Sequence, residues 1–101
     1  MKTYIAGKIS GLNFKEVARK FFEAEQMLLR TRKEIFNPYW HIRKIGWQHK
    51  SHEEIMKVCL DELSKCSEAY FLQCWEDSYG AKIEHQFCID NKIKIVYEKE
   101  S

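Results

Sequence analysis

The run Ser78-Tyr79-Gly80-Ala81-Lys82-Ile83-Glu84 places a hydroxyl, two small residues and a carboxylate at spacings that suit one helix. If Ser78 caps that helix, its hydroxyl and the free N–H groups of the first turn make an anion site, and Glu84 falls about one and a half turns further in. Gly80 and Ala81 allow a neighbour to pack closely, and Glu84 is flanked by Ile83, Phe87 and Cys88. Its carboxylate therefore reads in two ways, as a surface group or as a partly buried nucleophile or base. A second run, Gly7-Lys8-Ile9-Ser10-Gly11, frames an ammonium and a hydroxyl between two glycines. Glycines let backbone approach a ligand, so this loop either lines an anion or simply turns the chain into a helix. It is neither a Walker loop nor a GxGxxG fingerprint.

Between Tyr39 and Lys50 the chain interleaves Trp40 and Trp47 with Arg43, Lys44 and two histidines. Three uses are open: a lid in which Trp40 or Trp47 stacks a base while Arg43 meets phosphate, an interface or plain packing, and contact with nucleic acid. From Arg30 to Lys50 there are six basic residues and one acid, a local charge of +5 that leaves −3 for the remainder. The net charge of +2 does not mark a nucleic-acid-binding protein. Cys59, Cys66, Cys74 and Cys88 show no paired metal-ligand spacing, and neither do His41, His49, His52 and His85. Apolar neighbours make the cysteines reduced, buried small hydrophobes. No metal and no cofactor is expected.

These residues must be held by a small framework. The chain has 101 residues, 45% hydrophobic and 32% charged, which suits one globular domain over residues 1–101 and no second. One Pro and four Gly leave little room for turns and argue against an all-β fold. A domain of this size has a thin stability margin, so a partner subunit would help. No apolar run approaches a membrane span or a signal sequence, and the cytosol is the expected compartment.

Strands are expected at 3–6, 34–38, 68–74 and 92–97. Asn13 with Glu16 opens a helix that runs to about 30, in which Phe14, Val17, Ala18, Phe21, Ala24 and Leu28 form the apolar face. Ser51 with Glu54 opens a second helix ending near 66, and Ser78 caps a third over 79–90. Residues 39–50 read as a long loop or partial helix, and 75–78 as a loop. The order βαβαβαβ calls for a flavodoxin-like three-layer α/β sandwich with a four-stranded parallel sheet. Ligands of such sheets bind outside the carboxyl ends of the strands, which singles out the loops after the first and third strands.

Tyr4-Ile5-Ala6-Gly7-Lys8-Ile9-Ser10-Gly11, Asn37-Pro38 and Trp75-Glu76-Asp77-Ser78-Tyr79-Gly80-Ala81-Lys82-Ile83-Glu84-His85, in that order, resemble the nucleoside 2-deoxyribosyltransferase-like superfamily. The likeness is to a short bacterial and phage branch related to the 2'-deoxynucleoside 5'-phosphate N-hydrolases, and it spans essentially the whole chain. It implies a small-molecule nucleoside or nucleotide as partner. By it, Glu84 is the nucleophile that attacks the anomeric carbon, Tyr4 sits beside it, and Ser78, Gly80 and Ala81 take part in binding sugar or phosphate with residues 7–11. It also implies a homodimer or higher oligomer, whose neighbouring subunit completes each site with residues this chain, ending at Ser101, would not supply. Cys59 and Ser67 stand where the branch usually carries aspartates, so Asp61 and Asp77 are the substitute candidates for a second acid. Two other functions remain open: a nucleotide-binding or sequestering module without catalysis, and a domain that binds protein or RNA through 39–50.

Overall fold

The computed structural model describes residues 2–8, 13–32, 34–40 and 51–98. The chain begins with strand β1 (Lys2–Ala6), helix α1 (Phe14–Leu28), strand β2 (Glu34–Phe36) and helix α2 (His52–Ser64). Strand β3 (Glu68–Phe71), a 3₁₀ turn (Gln73–Asp77), helix α3 (Tyr79–Asp90) and strand β4 (Lys94–Tyr97) follow. All strand pairs are parallel, in the order β2-β1-β3-β4. With helices on both faces this is the expected flavodoxin-like sandwich.

The alternation of side chains along each strand divides the core in two. Ile5, Tyr70 and Leu72 face Val17, Phe21, Ala24 and Leu28 of α1. Tyr4, Ala6, Ala69 and Phe71 face Cys59 and Leu63 of α2 and Cys88 of α3. Because β1 sends its chain to α1 on one face and β3 sends its chain to α3 on the other, the strand order reverses between them. A crevice outside their carboxyl ends is what that topology creates.

The helix starts follow the capping residues. Asn13 Oδ1 accepts from the Lys15 amide at 2.8 Å, Ser51 Oγ from Glu54 at 3.2 Å, and Ser78 Oγ from Ala81 at 3.1 Å. The amino edge of the sheet is closed by charge. Glu68, the first residue of β3, pairs with Arg32, accepts from Thr3 Oγ1 at 2.8 Å and lies 3.9 Å from Lys94. Arg32 beside it holds the Glu68 carboxyl below its ordinary range.

Several boundaries differ from those expected. β3 stops at Phe71 instead of continuing to Cys74, because the chain winds into the 3₁₀ turn, with the Trp75 amide bonded to the Leu72 carbonyl at 3.0 Å. The loop expected at 75–78 is thus largely that turn. β4 starts at Lys94, not Lys92, because residues 91–93 close α3. The Ile93 amide reaches the Cys88 carbonyl at 2.9 Å and the Lys92 amide reaches Ile89 at 3.4 Å, a Schellman motif with Lys92 at φ 55°. β2 ends at Phe36, one residue before the Asn37-Pro38 pair. Residues 38–40 are helical, and 41–50 lie outside the described residues.

Candidate functional site

Glu84 is set by α3. With Ser78 as N-cap and Ala81 buried against the core, the helix carries Glu84 about 9 Å along its axis from the cap, turned toward the sheet. The side chain is only 6% exposed. It meets Tyr4, which is fully buried in β1 two residues before the strand ends. The Tyr4 hydroxyl donates to Glu84 Oε2. The tyrosine ring is itself fixed: it stacks on Phe36 of β2 at 5.5 Å between centroids and 19° between planes. Glu84 is thus a buried carboxyl and not a surface group.

Cys59, from the buried face of α2, completes the surroundings. It packs with Tyr4 in the same core cluster, and the Glu84 charge acts on both Cys59 and Cys88. The electrostatics follow from burial. Removal from water pushes the Glu84 carboxyl up from 4.5 to about 7, partly opposed by the Tyr4 hydrogen bond, which favours the carboxylate. Burial and the Glu84 charge drive the Tyr4 phenol well above its ordinary value, so it stays a proton donor. The same causes push Cys59 to about 11 and Cys88 to about 12, which keeps both as thiols.

The Ser78 hydroxyl, buried like its cap partner Ala81, accepts from the Ala81 amide and keeps its own hydrogen to donate. Gly7 directly follows β1. A Cβ there would stand 2.8 Å from Leu72 Cδ1 and 3.1 Å from its Cβ, so any larger residue would press on that buried side chain where β1 leaves the sheet. The Leu72 amide bonds the Ala6 carbonyl at 2.8 Å at that point. Lys8 follows, half-buried, and Gly80 lies in the first turn of α3. Ile9, Ser10, Gly11, Arg43 and Trp47 lie outside the described residues. Of the three lid candidates, Trp40 alone is described; it is 42% exposed and meets the buried Tyr39 edge to face at 5.2 Å.

Asp61 stands away from the Tyr4 and Glu84 pair. Two residues on from Cys59 it is carried to the opposite side of α2, where it is exposed and pairs with Lys65 at 3.4 Å. Asp77 is exposed at the end of the 3₁₀ turn. Ser67 is exposed and bonds the Lys2 carbonyl at 3.3 Å. His85 turns away from Glu84: its ring stacks on Trp75 at 4.2 Å and 14°, and Nε2 lies 2.7 Å from the Tyr97 hydroxyl. Among the described residues no group of three or more His, Cys, Asp or Glu side chains could hold a metal ion, and no helix is long and apolar enough to cross a membrane.

Cys59, which stands where the resembled branch usually carries an aspartate, lies beside Tyr4 in the core. Its place on the apolar stripe of α2 with Ile55, Met56 and Leu63 marks it as buried, yet that it meets Tyr4 depends on how α2 lies across β1.

A model described as a domain of unknown function, DUF4406, matches residues 1–97, from the first strand through the last. The chain belongs to the DUF4406 family. Neither the curated proteins nor the solved structures compared with it show a match. The match takes in every element that builds the Tyr4, Cys59 and Glu84 cluster, so the DUF4406 domain is the unit that carries the candidate site.

Proposed function

We propose that this DUF4406 domain binds a 2'-deoxynucleoside or its 5'-monophosphate and cleaves the N-glycosidic bond, with Glu84 as nucleophile. The observation that carries the reading is the buried Glu84 carboxyl, held by the Tyr4 hydroxyl on the helix that starts at the carboxyl end of β3. The resemblance of Tyr4, residues 7–11 and residues 75–85 to nucleoside 2-deoxyribosyltransferase-like proteins supports the same roles.

In this mechanism Tyr4 occupies Oε2 and leaves Oε1 to attack C1' of the sugar. A glycosyl ester forms as the C1'–N bond breaks, and the base departs with the electron pair of that bond and takes up a proton from solvent. Water then attacks C1', loses a proton and returns the carboxylate, releasing the sugar. A carboxylate short of hydration gains from the positive charge that develops on the sugar ring, and that gain appears only in the transition state. Tyr4 stays protonated throughout, so it orients the carboxylate and is not spent as an acid. The Ser78 hydroxyl, the first-turn amides of α3 and Lys8 are the donors for a 5'-phosphate.

A specific observation favours a second reading, in which the domain binds a nucleotide without turnover. The groups around the Tyr4 and Glu84 pair are thiols, and among the described residues no other carboxyl acts on Glu84. A missing general acid costs ~10²–10⁴ in rate.

Intact-protein mass spectrometry after mixing with 2'-deoxynucleoside 5'-monophosphates tests the first reading. A deoxyribose phosphate adduct that maps to Glu84 and is absent in Glu84→Gln is the expected result. Saturable binding with neither an adduct nor released base would leave the second reading in its place.

A further inference from the structure

Asn37 closes β2 and is 6% exposed. Its Oδ1 accepts from the Tyr39 amide at 3.0 Å, which fixes the carboxamide, since the flipped group would set Nδ2 against another donor. In this orientation Nδ2 is buried and has no hydrogen-bond partner among the described residues. Leaving a buried donor unsatisfied is costly, and such a group in a native fold calls for an explanation. Its place supplies one. Phe36, the preceding residue, is in register with Tyr4, so Asn37 stands at the next level, where β1 is about to leave the sheet through Ala6 and Gly7. The carboxyl ends of β2, β1 and β3 thus present Asn37, Gly7 with Lys8, and the Ser78 cap along one edge of the sheet. That is the edge at which a parallel sheet of this order receives ligands.

We propose that Asn37 is a ligand-binding residue, its Nδ2 hydrogens donated to an oxygen of a sugar phosphate held at the carboxyl edge of the sheet. The sugar phosphate as ligand rests on the nucleotide site proposed above; the unpaired donor does not. A neutral amide N–H suits a hydroxyl or phosphate oxygen, and it adds a contact from the β2 side to those that Ser78 and Lys8 offer from β3 and β1.

The test reads the Asn37 side-chain NH₂ resonances of the ¹⁵N-labelled full chain, assigned by their loss in Asn37→Ser, during titration with 2-deoxyribose 5-phosphate, inorganic phosphate and 2-deoxyribose. The serine keeps an oxygen for the Tyr39 amide. The expected result is a saturable shift with 2-deoxyribose 5-phosphate and a Kd raised about tenfold or more in Asn37→Ser. Inorganic phosphate or 2-deoxyribose moving the resonances alone identifies which oxygen is bound. Resonances unmoved by all three compounds overturn the proposal, because the amide is then satisfied within the chain. Deoxynucleoside monophosphates binding wild type and Asn37→Ser equally would reject Asn37 and leave the nucleotide site standing. A response at Asn37 with no nucleotide bound would do the reverse.

Discussion

Tyr4 and Glu84, 80 positions apart in the chain, meet in a buried hydrogen bond that ties the first strand to the last helix. Removing the donor with Tyr4→Phe takes away the hydrogen bond that favours the Glu84 carboxylate against burial. The Glu84 pKa should therefore rise above about 7, read by carbon-detected NMR titration of the carboxyl. An unchanged or lower value would mean that Tyr4 does not hold the carboxylate.

The same group makes stability depend on pH in an unusual direction. Glu84 titrates near 7 when folded and near 4.5 when unfolded, so between these values the folded chain binds more protons. The contribution is fully present below pH 4.5 and is lost as pH rises through 7, for a total of about 3 kcal/mol. Urea unfolding at pH 5 and pH 8 should show this fall in wild type and its absence in Glu84→Gln.

Gly7→Ala should destabilise the fold by about 1–3 kcal/mol, because its Cβ would press on the buried Leu72 side chain. Combining it with Leu72→Ala opens that space. The two changes should then cost less together than the sum of each alone, as measured by denaturant midpoints.

Lys92 holds φ 55° at the close of α3, a conformation in which glycine has no steric penalty. Lys92→Gly should raise stability by about 0.5–1 kcal/mol, visible as a higher Tm.

Much of this framework was legible in the sequence because its signals are local. The caps Asn13, Ser51 and Ser78 and the helical apolar spacing placed three helices, and the βαβαβαβ order carried the sheet. The misplaced strand ends have a common cause: Leu72 and Lys92 look like strand residues, but their backbones are taken by the 3₁₀ turn and the Schellman motif, which depend on hydrogen bonds and not on hydropathy. The site was legible only in part. Glu84 and Tyr4 stood out by motif, whereas the packing of Cys59 on Tyr4 and the exposed place of Asp61 follow from the rotation of α2 against β1. The unpaired Nδ2 of Asn37 depends on a turn that no spacing reveals.

The most direct test of Glu84 as a nucleophile is release of free base from 2'-deoxynucleoside 5'-monophosphates, followed by chromatography for wild type and Glu84→Ala from pH 5 to 9. The mechanism predicts release by wild type that rises with pH through about 7, as the carboxylate forms, and a loss of at least ~10³-fold in Glu84→Ala. Release by Glu84→Ala at the wild-type rate would contradict it.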